Sequence, residues 1–395
     1  MDHIDILIVG GGVIGSSIAY HLAHQGRLVL VVERATIAES PAASWASAGG
    51  VRRQGRDPAE AELANEAIAR WPALEHELQG DLHYRQGGNL LLAESDAEAE
   101  QLAAFVNQQH ALGFSDLRLL DRPAVRALVP GLGDQVIAGS YSPADGQADP
   151  ARTTHAFAAA AQRHGAVYWA ETACTALLAR GSRIIGARTA RGDVAAETVV
   201  LATGAWSTDL AAGIGLRLPI RTQAYQMLRS TTAPHGLLTP VVSALGRVLS
   251  LKQLPDGAFL LGGGWPGDPT PDRRGFTLRQ ESIDGNWAAA CAILPAVGQQ
   301  QIERAWCGLE AESIDEIPLI GALPGLEGLV IAAGFSGHGF AIAPAVGRAV
   351  ADLLGGQPVP ALDGLSPGRI ARLDPAQVER FLGPAGSTHH SESGL

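Results

Sequence analysis

The stretch ILIVGGGVIG, residues 6–15, constrains this chain more than any other. The run IDILIV at 4–9 is short, apolar and β-branched, the pattern of a parallel strand covered on both faces. Gly10, Gly12 and Gly15 then stand in G-x-G-x-x-G spacing. In that motif the first glycine makes the tight turn and the second lets a pyrophosphate approach the backbone. The third lets the following helix pack on the strand. The helix expected over VIGSSIAYHLAHQG, 13–26, aims its free N-terminal amides at the phosphates, with Val13 and Ile14 in its first turn. A second strand, LVLVVE at 28–33, ends in Glu33. An acid about 20 residues past the motif is placed to bind a ribose hydroxyl. The glycines alone would be weak evidence. Strand, motif, helix, strand and terminal acid together predict a Rossmann-like dinucleotide-binding unit.

The rest of the chain must fit around that unit. Its 395 residues suffice for a large core and about two domains. Hydrophobic residues at 46% and charged residues at 17% are globular proportions. A net charge of -11 without a long basic stripe argues against a nucleic-acid surface. Cys174, Cys291 and Cys307 are far apart and odd in number, which suits a reducing compartment and offers no metal-ligand spacing. The start, MDHIDILIVGGG, has no basic region, and no apolar run reaches transmembrane length without glycine or charge. The expectation is a cytoplasmic protein with no signal peptide and no integral membrane segment.

NAD and FAD both use such a unit. After Glu33 and Arg34 comes a small, polar, flexible segment holding Ser44, Ser47, Ala48, Gly49, Gly50 and Val51. Such a segment can wrap a bulky cofactor with backbone amides, whereas an NAD domain would normally proceed at once to its next helix. GAVYWAETACTALL at 165–178 predicts a strand whose backbone near Cys174 faces the cofactor. TVVLATGAWS at 198–207 predicts another, ending in a glycine turn with Ala202, Thr203, Gly204 and Trp206. Late in the chain, AAGFSGHGF at 332–340 places Gly334, Ser336, Gly337, Gly339 and Phe340 between a strand and a helix. That helix, expected from Ala341, can offer a second N-terminus to the flavin end of the same cofactor. His338 fits a structural or a flavin-side role equally well.

In this order the pieces resemble the D-amino-acid-oxidase-like flavoprotein family, which includes glycine oxidase, sarcosine oxidase and D-amino-acid dehydrogenases. The resemblance covers about residues 4 to 355. It rests on ILIVGGGVIGSSIAYHLA, SWASAGGVRRQ, DGQADPARTTHAFAAAA, VVLATGAWS, WCGLEAESIDEIPLIG and GFSGHGFAIAP. Within the family the chain looks most like β-type catalytic subunits of opine and D-hydroxyproline dehydrogenases and of sarcosine oxidases. The resemblance implies bound FAD and a Rossmann-like α/β domain. It also implies an α+β substrate domain whose mixed, largely antiparallel sheet covers the flavin. The FAD domain is expected from 1–85, 145–215 and 320–365, and the substrate domain from 86–144 and 216–319. A tail at 366–395 holds a short helix-like piece, with its last dozen residues disordered. Relatives of the β type work in complexes, so partner subunits carrying further redox centres are implied, with possible attachment to the inner membrane through them.

Three departures from relatives matter. Glycine oxidase and its relatives often carry arginine, which grips the substrate carboxylate by a two-pronged bond, where this chain has Glu310. Arg52 and Arg53 are the expected replacements, unless they pair with surface acids. Monomeric sarcosine oxidase has a lysine for the carboxylate after GHGF, where this chain has Ala341. It has another, promoting reaction with oxygen, in the sheet over the flavin. The resemblance puts Leu260 at that position, with Lys252 nearby in sequence. Cys307 lies close to the covalent flavin attachment point of that enzyme, but is expected to be a buried structural cysteine.

The resulting expectation is an FAD-dependent dehydrogenase acting on a C–N bond of a small amino, imino or N-substituted amino acid. His338 and Tyr225 are its candidate catalytic residues, with Gln226, Trp265 and Glu310 at the substrate. The rivals are an oxidase using oxygen, a non-catalytic flavoprotein assembly subunit and an NAD-linked dehydrogenase.

Overall fold

The structure is a computed structural model and describes residues 4–383. At its centre five strands run parallel in the order Leu326–Ala333, Thr198–Leu201, Ile6–Val9, Val29–Val32, Val167–Trp169. Ile6 and Ile8 face one layer, where the helices Val13–His24, Pro150–Arg163 and Gly339–Leu354 pack. Leu7 and Val9 face the other, against Leu177, Ile184 and Leu210. Both faces are covered, which is why the strand reads as an unbroken apolar run.

A second, ten-stranded sheet takes Asn89–Ala93, Arg118–Asp121 and Ala138–Ser142 from the first half of the chain and the remainder from between Ile220 and Ser313. Its longest strands, Ile220–Thr232 and Ile302–Ser313, pair antiparallel from Ile220↔Ser313 to Arg229↔Arg304. Leu228, Leu251, Phe259 and Leu261 turn one face toward the helices Arg122–Leu128 and Gln280–Ile293. Alternation turns Tyr225, Met227, Lys252 and Leu260 to the opposite, inner face. A two-stranded ribbon, Gly50–Val51 with Gly146–Gln147, stands apart from both sheets. The fold is the expected one: a Rossmann-like α/β unit joined to an α+β unit. Among the described residues no helix is long and apolar enough to cross a membrane.

Three local expectations change. The 165–178 segment is two strands, Val167–Trp169 and Cys174–Arg180. Between them Glu171 takes φ +50° and Thr172 donates its amide to the Glu33 carbonyl at 2.7 Å. The second piece then pairs antiparallel with Arg183–Thr189. The segment after Glu33 contains a short helix, Ala43–Ala46. The late helix starts at Gly339, two residues earlier than expected. The helix-like piece of the tail is Pro375–Leu382, and its final dozen residues lie outside the described residues.

The first and late helices cross closely. Ser17 Oγ donates to the Ala343 carbonyl at 2.8 Å. A Cβ on Gly347 would fall 2.7 Å from the Ser17 carbonyl oxygen and still closer to its Oγ. Gly347→Val must therefore push the helices apart. A loss of about 1–3 kcal/mol is expected, as for other overpacked sites, measured as a lower urea midpoint at unchanged slope. An unchanged midpoint would refute the tight crossing.

Candidate active site

A cavity of about 630 Å³ lies at the carboxyl ends of the parallel strands, where Val9, Val32, Ala202 and Ala332 reach it. That is where open α/β sheets bind ligands. Gly10, Gly12, Val13, Ile14, Glu33, Arg34, Ser44 and Ser47 line one side. Cys174, Ala202, Thr203, Gly204 and Trp206 line another, and Gly337, Gly339 and Phe340 close the far end.

The nucleotide half is built by glycine contacts and free amides. Gly10 takes φ +106°, and a Cβ there would overlap the Ala202 carbonyl. A Cβ on Gly15, which lies behind the lining, would overlap the Gly10 carbonyl. At Gly12 the same atom meets only Ser44 Oγ, at 3.1 Å, so the space above it is open. Gly12 is the N-cap of the first helix and offers no side chain. Ser44 reaches across instead, its Oγ accepting from the Val13 amide at 2.9 Å. The Glu33 carboxylate accepts from the amides of Gly11 at 2.8 Å and Ala35 at 3.0 Å. Burial raises its pKa, and those amides oppose the rise. The Arg34 guanidinium stacks on Trp206, 3.8 Å from the ring centroid. Trp206 Nε1 is buried with no partner, an orphan donor on a residue that lines the cavity. An open cradle over Gly12, a free helix N-terminus and an orphan donor all fit an FAD molecule.

Other expected cofactor residues position the lining and are not themselves part of it. Gly49 takes φ +68° and packs against the Ala148 carbonyl. From Ala48 the chain enters the ribbon at Gly50, and Val51 is fully buried. The Ser336 amide donates to the Ala311 carbonyl at 2.9 Å, and its Oγ accepts from the Ser313 amide at 3.1 Å. Together with Gly334, at φ +74° against Ile220, these bonds staple the late turn to the strand Ile302–Ser313.

The substrate candidates separate. Glu310 lines the cavity. Burial pushes its carboxyl up to about 7, aided by the Glu312 carboxylate and opposed by the Gly337 amide. Tyr225, on the inner sheet face, donates to Glu312 at 3.2 Å. Gln226 and Trp265 do not join them. Gln226 points outward and bonds the Arg279 backbone, and Trp265 packs against Gly285 of the outer helix. Adjacent strand residues face opposite ways, so Tyr225 and Gln226 cannot both face a substrate there. Arg53 also leaves the site: it pairs with Asp116, bonds Asn65 and stacks on Phe114. Arg52 is half-buried next to the buried Arg56. Cys307 is fully buried on the outer face against Gly267, with its thiol pushed up to about 12 by burial. Leu260 stands directly opposite Lys252, whose ammonium is buried on the same face and lowered to about 8 by that burial.

Arg56 and Glu60 were missed in the sequence. Glu60 is 1% exposed, and its Oε2 lies 3.5 Å from His338 Nδ1. The only local signal was the Arg52–Arg56–Glu60 spacing of four, which reads as an ordinary helical surface until the late turn folds over it.

The model of the family described as FAD dependent oxidoreductase matches residues 5–353. The chain belongs to that family. Glycine oxidase from Pseudomonas aeruginosa is 31% identical over 364 residues, covering 89% of this chain and 95% of the relative. The structure of L-proline dehydrogenase from P. horikoshii superposes with a TM-score of 0.87 at 31% identity, covering 94% of this chain and 98% of that one. Mitochondrial dimethylglycine dehydrogenase from Mus musculus is 26% identical across 94% of this chain, which spans 44% of that larger protein. The protein is an FAD-dependent oxidoreductase, which sets aside the NAD-linked rival.

Two outcomes follow from this geometry. Gly12→Val should fold, because only a side-chain hydroxyl is crowded, but lose most of its FAD. The ratio of absorbance at the flavin band to that of protein checks this, and full loading would move the phosphate site. FAD should be released by denaturation, because Cys307 turns away from the cavity. A mass increase equal to FAD that survives denaturant and vanishes in Cys307→Ser would contradict that placement.

Proposed function

We propose that this chain oxidises a carbon–nitrogen bond of a small amino, imino or N-substituted amino acid and passes the electrons to an acceptor other than oxygen. When bound, FAD supplies the oxidation by taking hydride from the substrate carbon. The observation that carries the reading is Arg52. Its guanidinium donates to the Gln54 carbonyl at 2.5 Å, and among the described residues no carboxylate lies within 4.0 Å of it. Burial and the neighbouring Arg56 lower its pKa to about 10, so it stays charged at neutral pH. A half-buried cation in no close ion pair, with Asp145 and Glu60 acting on it only from beyond 4.0 Å, suits a substrate carboxylate held in two-pronged fashion.

Glu310 acts on the other end of the substrate. It is neutral below about pH 7; above that it repels a carboxylate and attracts a cationic nitrogen. The substrate then lies with its carboxylate toward Arg52 and its nitrogen toward Glu310. The imine product hydrolyses in water.

The similarity to proteins named L-proline dehydrogenase and dimethylglycine dehydrogenase supports a non-oxygen acceptor. On that reading, electrons leave through a partner subunit carrying a further redox centre. The second reading, an oxidase, would need a cation near the flavin to stabilise charge developing on oxygen, and Lys252, buried on the inner sheet face, is its candidate.

A screen of D-amino acids, D-hydroxyproline, proline, sarcosine and opines, read by dye reduction and by oxygen uptake, tests both. Dye reduction should far outpace oxygen uptake; equal rates would make the protein an oxidase, and no turnover with any of them would favour an assembly role. With the active substrate, Arg52→Ala should mainly raise KM, roughly 10–100-fold for a lost charged hydrogen bond of about 1.5–3 kcal/mol. Arg52→Lys should restore only part, since one ammonium cannot reproduce the planar fork. Unchanged kinetics in Arg52→Ala would move the carboxylate site elsewhere.

A further inference from the structure

Three ionisable side chains meet behind the late glycine turn without satisfying one another. Glu60 closes the turn Pro58–Glu60 that leads into the helix Ala61–Leu78; it is 1% exposed and Arg56 is 4% exposed. Glu60 Oε2 lies 3.5 Å from His338 Nδ1, and Oε1 lies 3.9 Å from Arg56 Nη1. Both carboxylate oxygens, that Nη1 and His338 Nδ1 are enclosed with no hydrogen-bond partner. Arg56 is otherwise anchored by its Nε, which donates to the Arg52 carbonyl at 3.0 Å. The His338 side chain retains 26% exposure while its Nδ1 is enclosed, so its open edge is the one away from Glu60. Its chain neighbours, Gly337 and Gly339, line the cavity, and His338 itself lies next to that lining rather than in it.

A buried carboxylate needs a partner, and the nearest ionisable partner of Glu60 is His338 through Nδ1, with Arg56 Nη1 farther off; both are long contacts rather than closed hydrogen bonds. The side chain that Glu60 is placed to orient is therefore the imidazole. We propose that Glu60, anchored by Arg56, is the positioning residue that holds His338 in its Nδ1–H tautomer and leaves Nε2 to accept the proton of the substrate ammonium group. The inference rests on the amino- or imino-acid substrate proposed for this site.

The chemistry requires such an acceptor. A protonated nitrogen has no lone pair to stabilise the positive charge left when hydride departs from the neighbouring carbon. In the step assigned to His338, an ammonium N–H bond breaks and an Nε2–H bond forms. The electron pair stays on the substrate nitrogen, and the positive charge moves to the imidazole. The proton then leaves to water through the open ring edge. Glu60 faces the imidazolium and fixes which nitrogen is basic, as carboxylate partners of histidine do.

The electrostatics agree. Burial, then Arg56, lower the His338 pKa, with Arg52 adding to this; Glu60 opposes them. The ring is therefore neutral at pH 7 and free to accept. For Glu60, burial alone would raise the pKa, but His338 and the two arginines outweigh it and keep the group ionised. Asp145 acts on the set through those arginines.

The sign of the test follows. Glu60→Gln removes the group that raises the His338 pKa, so the acid limb of kcat/KM should move to lower pH and the plateau should fall. The amide oxygen of glutamine can still accept from Nδ1–H. In the wild-type holoenzyme with ¹⁵N-histidine, the signal lost in His338→Gln should report an Nδ1–H, unprotonated-Nε2 tautomer at neutral pH. That reading needs no substrate, so it stands apart from any failure of the substrate assignment. An Nε2–H tautomer in the wild type overturns the proposal. So does a Glu60→Gln enzyme that retains FAD and turns over with an unmoved acid limb.

Discussion

The near-contact of the Gly15 backbone with the Gly10 carbonyl sets the position of everything around the cavity. Any side chain at Gly15 would lift the first helix from its strand, and with it the amides at its N-terminus. The same helix is held from its other side by Gly347, where the late helix crosses at Ser17. Two helix N-termini, at Val13 and at Gly339, thus start from fixed points at one end of the sheet. Neither N-cap residue makes a side-chain capping bond, and at the first helix Ser44 Oγ takes the Val13 amide instead. First-turn amides not bonded in this way can be satisfied by an anionic ligand.

The strand Ile302–Ser313 carries that order across to the other sheet. One edge pairs along the length of Ile220–Thr232. At other points it meets the cavity wall: the Leu309 amide donates to the Pro41 carbonyl at 2.8 Å, and Ala311 accepts from Ser336 at 2.9 Å. Trp306 Nε1 donates to the Ala46 carbonyl at 3.2 Å. One strand therefore fixes the short helix after Glu33, the late turn and Glu310 relative to each other. Glu310 needs no long-range device of its own to face the cavity.

Sequence reading succeeded where the signal is local and failed where it depends on parity or on distant chain. Gly10, Gly12 and Gly15 were legible because spacing within one turn determines their geometry. Glu33 was legible because a strand end fixes it. Gln226 and Trp265 were misread because a strand shows two faces, and nothing in AYQMLRS says which is inner. The same holds for Arg52 and Arg53, adjacent residues sent to different surroundings. Glu60 was invisible for another reason. Its partner His338 is 278 positions away, and an Asp-Pro-Ala-Glu segment reads simply as a helix start.

Glu310 and Glu312 show how one strand holds two carboxyls in different surroundings. Both share the register partnered by Gln223 and Arg221. Glu312 is paired, accepting from Arg221 Nε at 2.6 Å and from the Tyr225 hydroxyl. Glu310 has no such cation among the described residues, and its carboxyl rises to about 7. This difference decides polarity within the cavity. Glu312 is already paired with Arg221, whereas deprotonation of Glu310 leaves a buried charge with no cation beside it among the described residues. A substrate with both a carboxylate and a nitrogen cannot present the carboxylate there as pH rises. For the substrate proposed above, the cation for that group would have to lie elsewhere, and Arg52, charged and in no ion pair within 4.0 Å among the described residues, is the candidate.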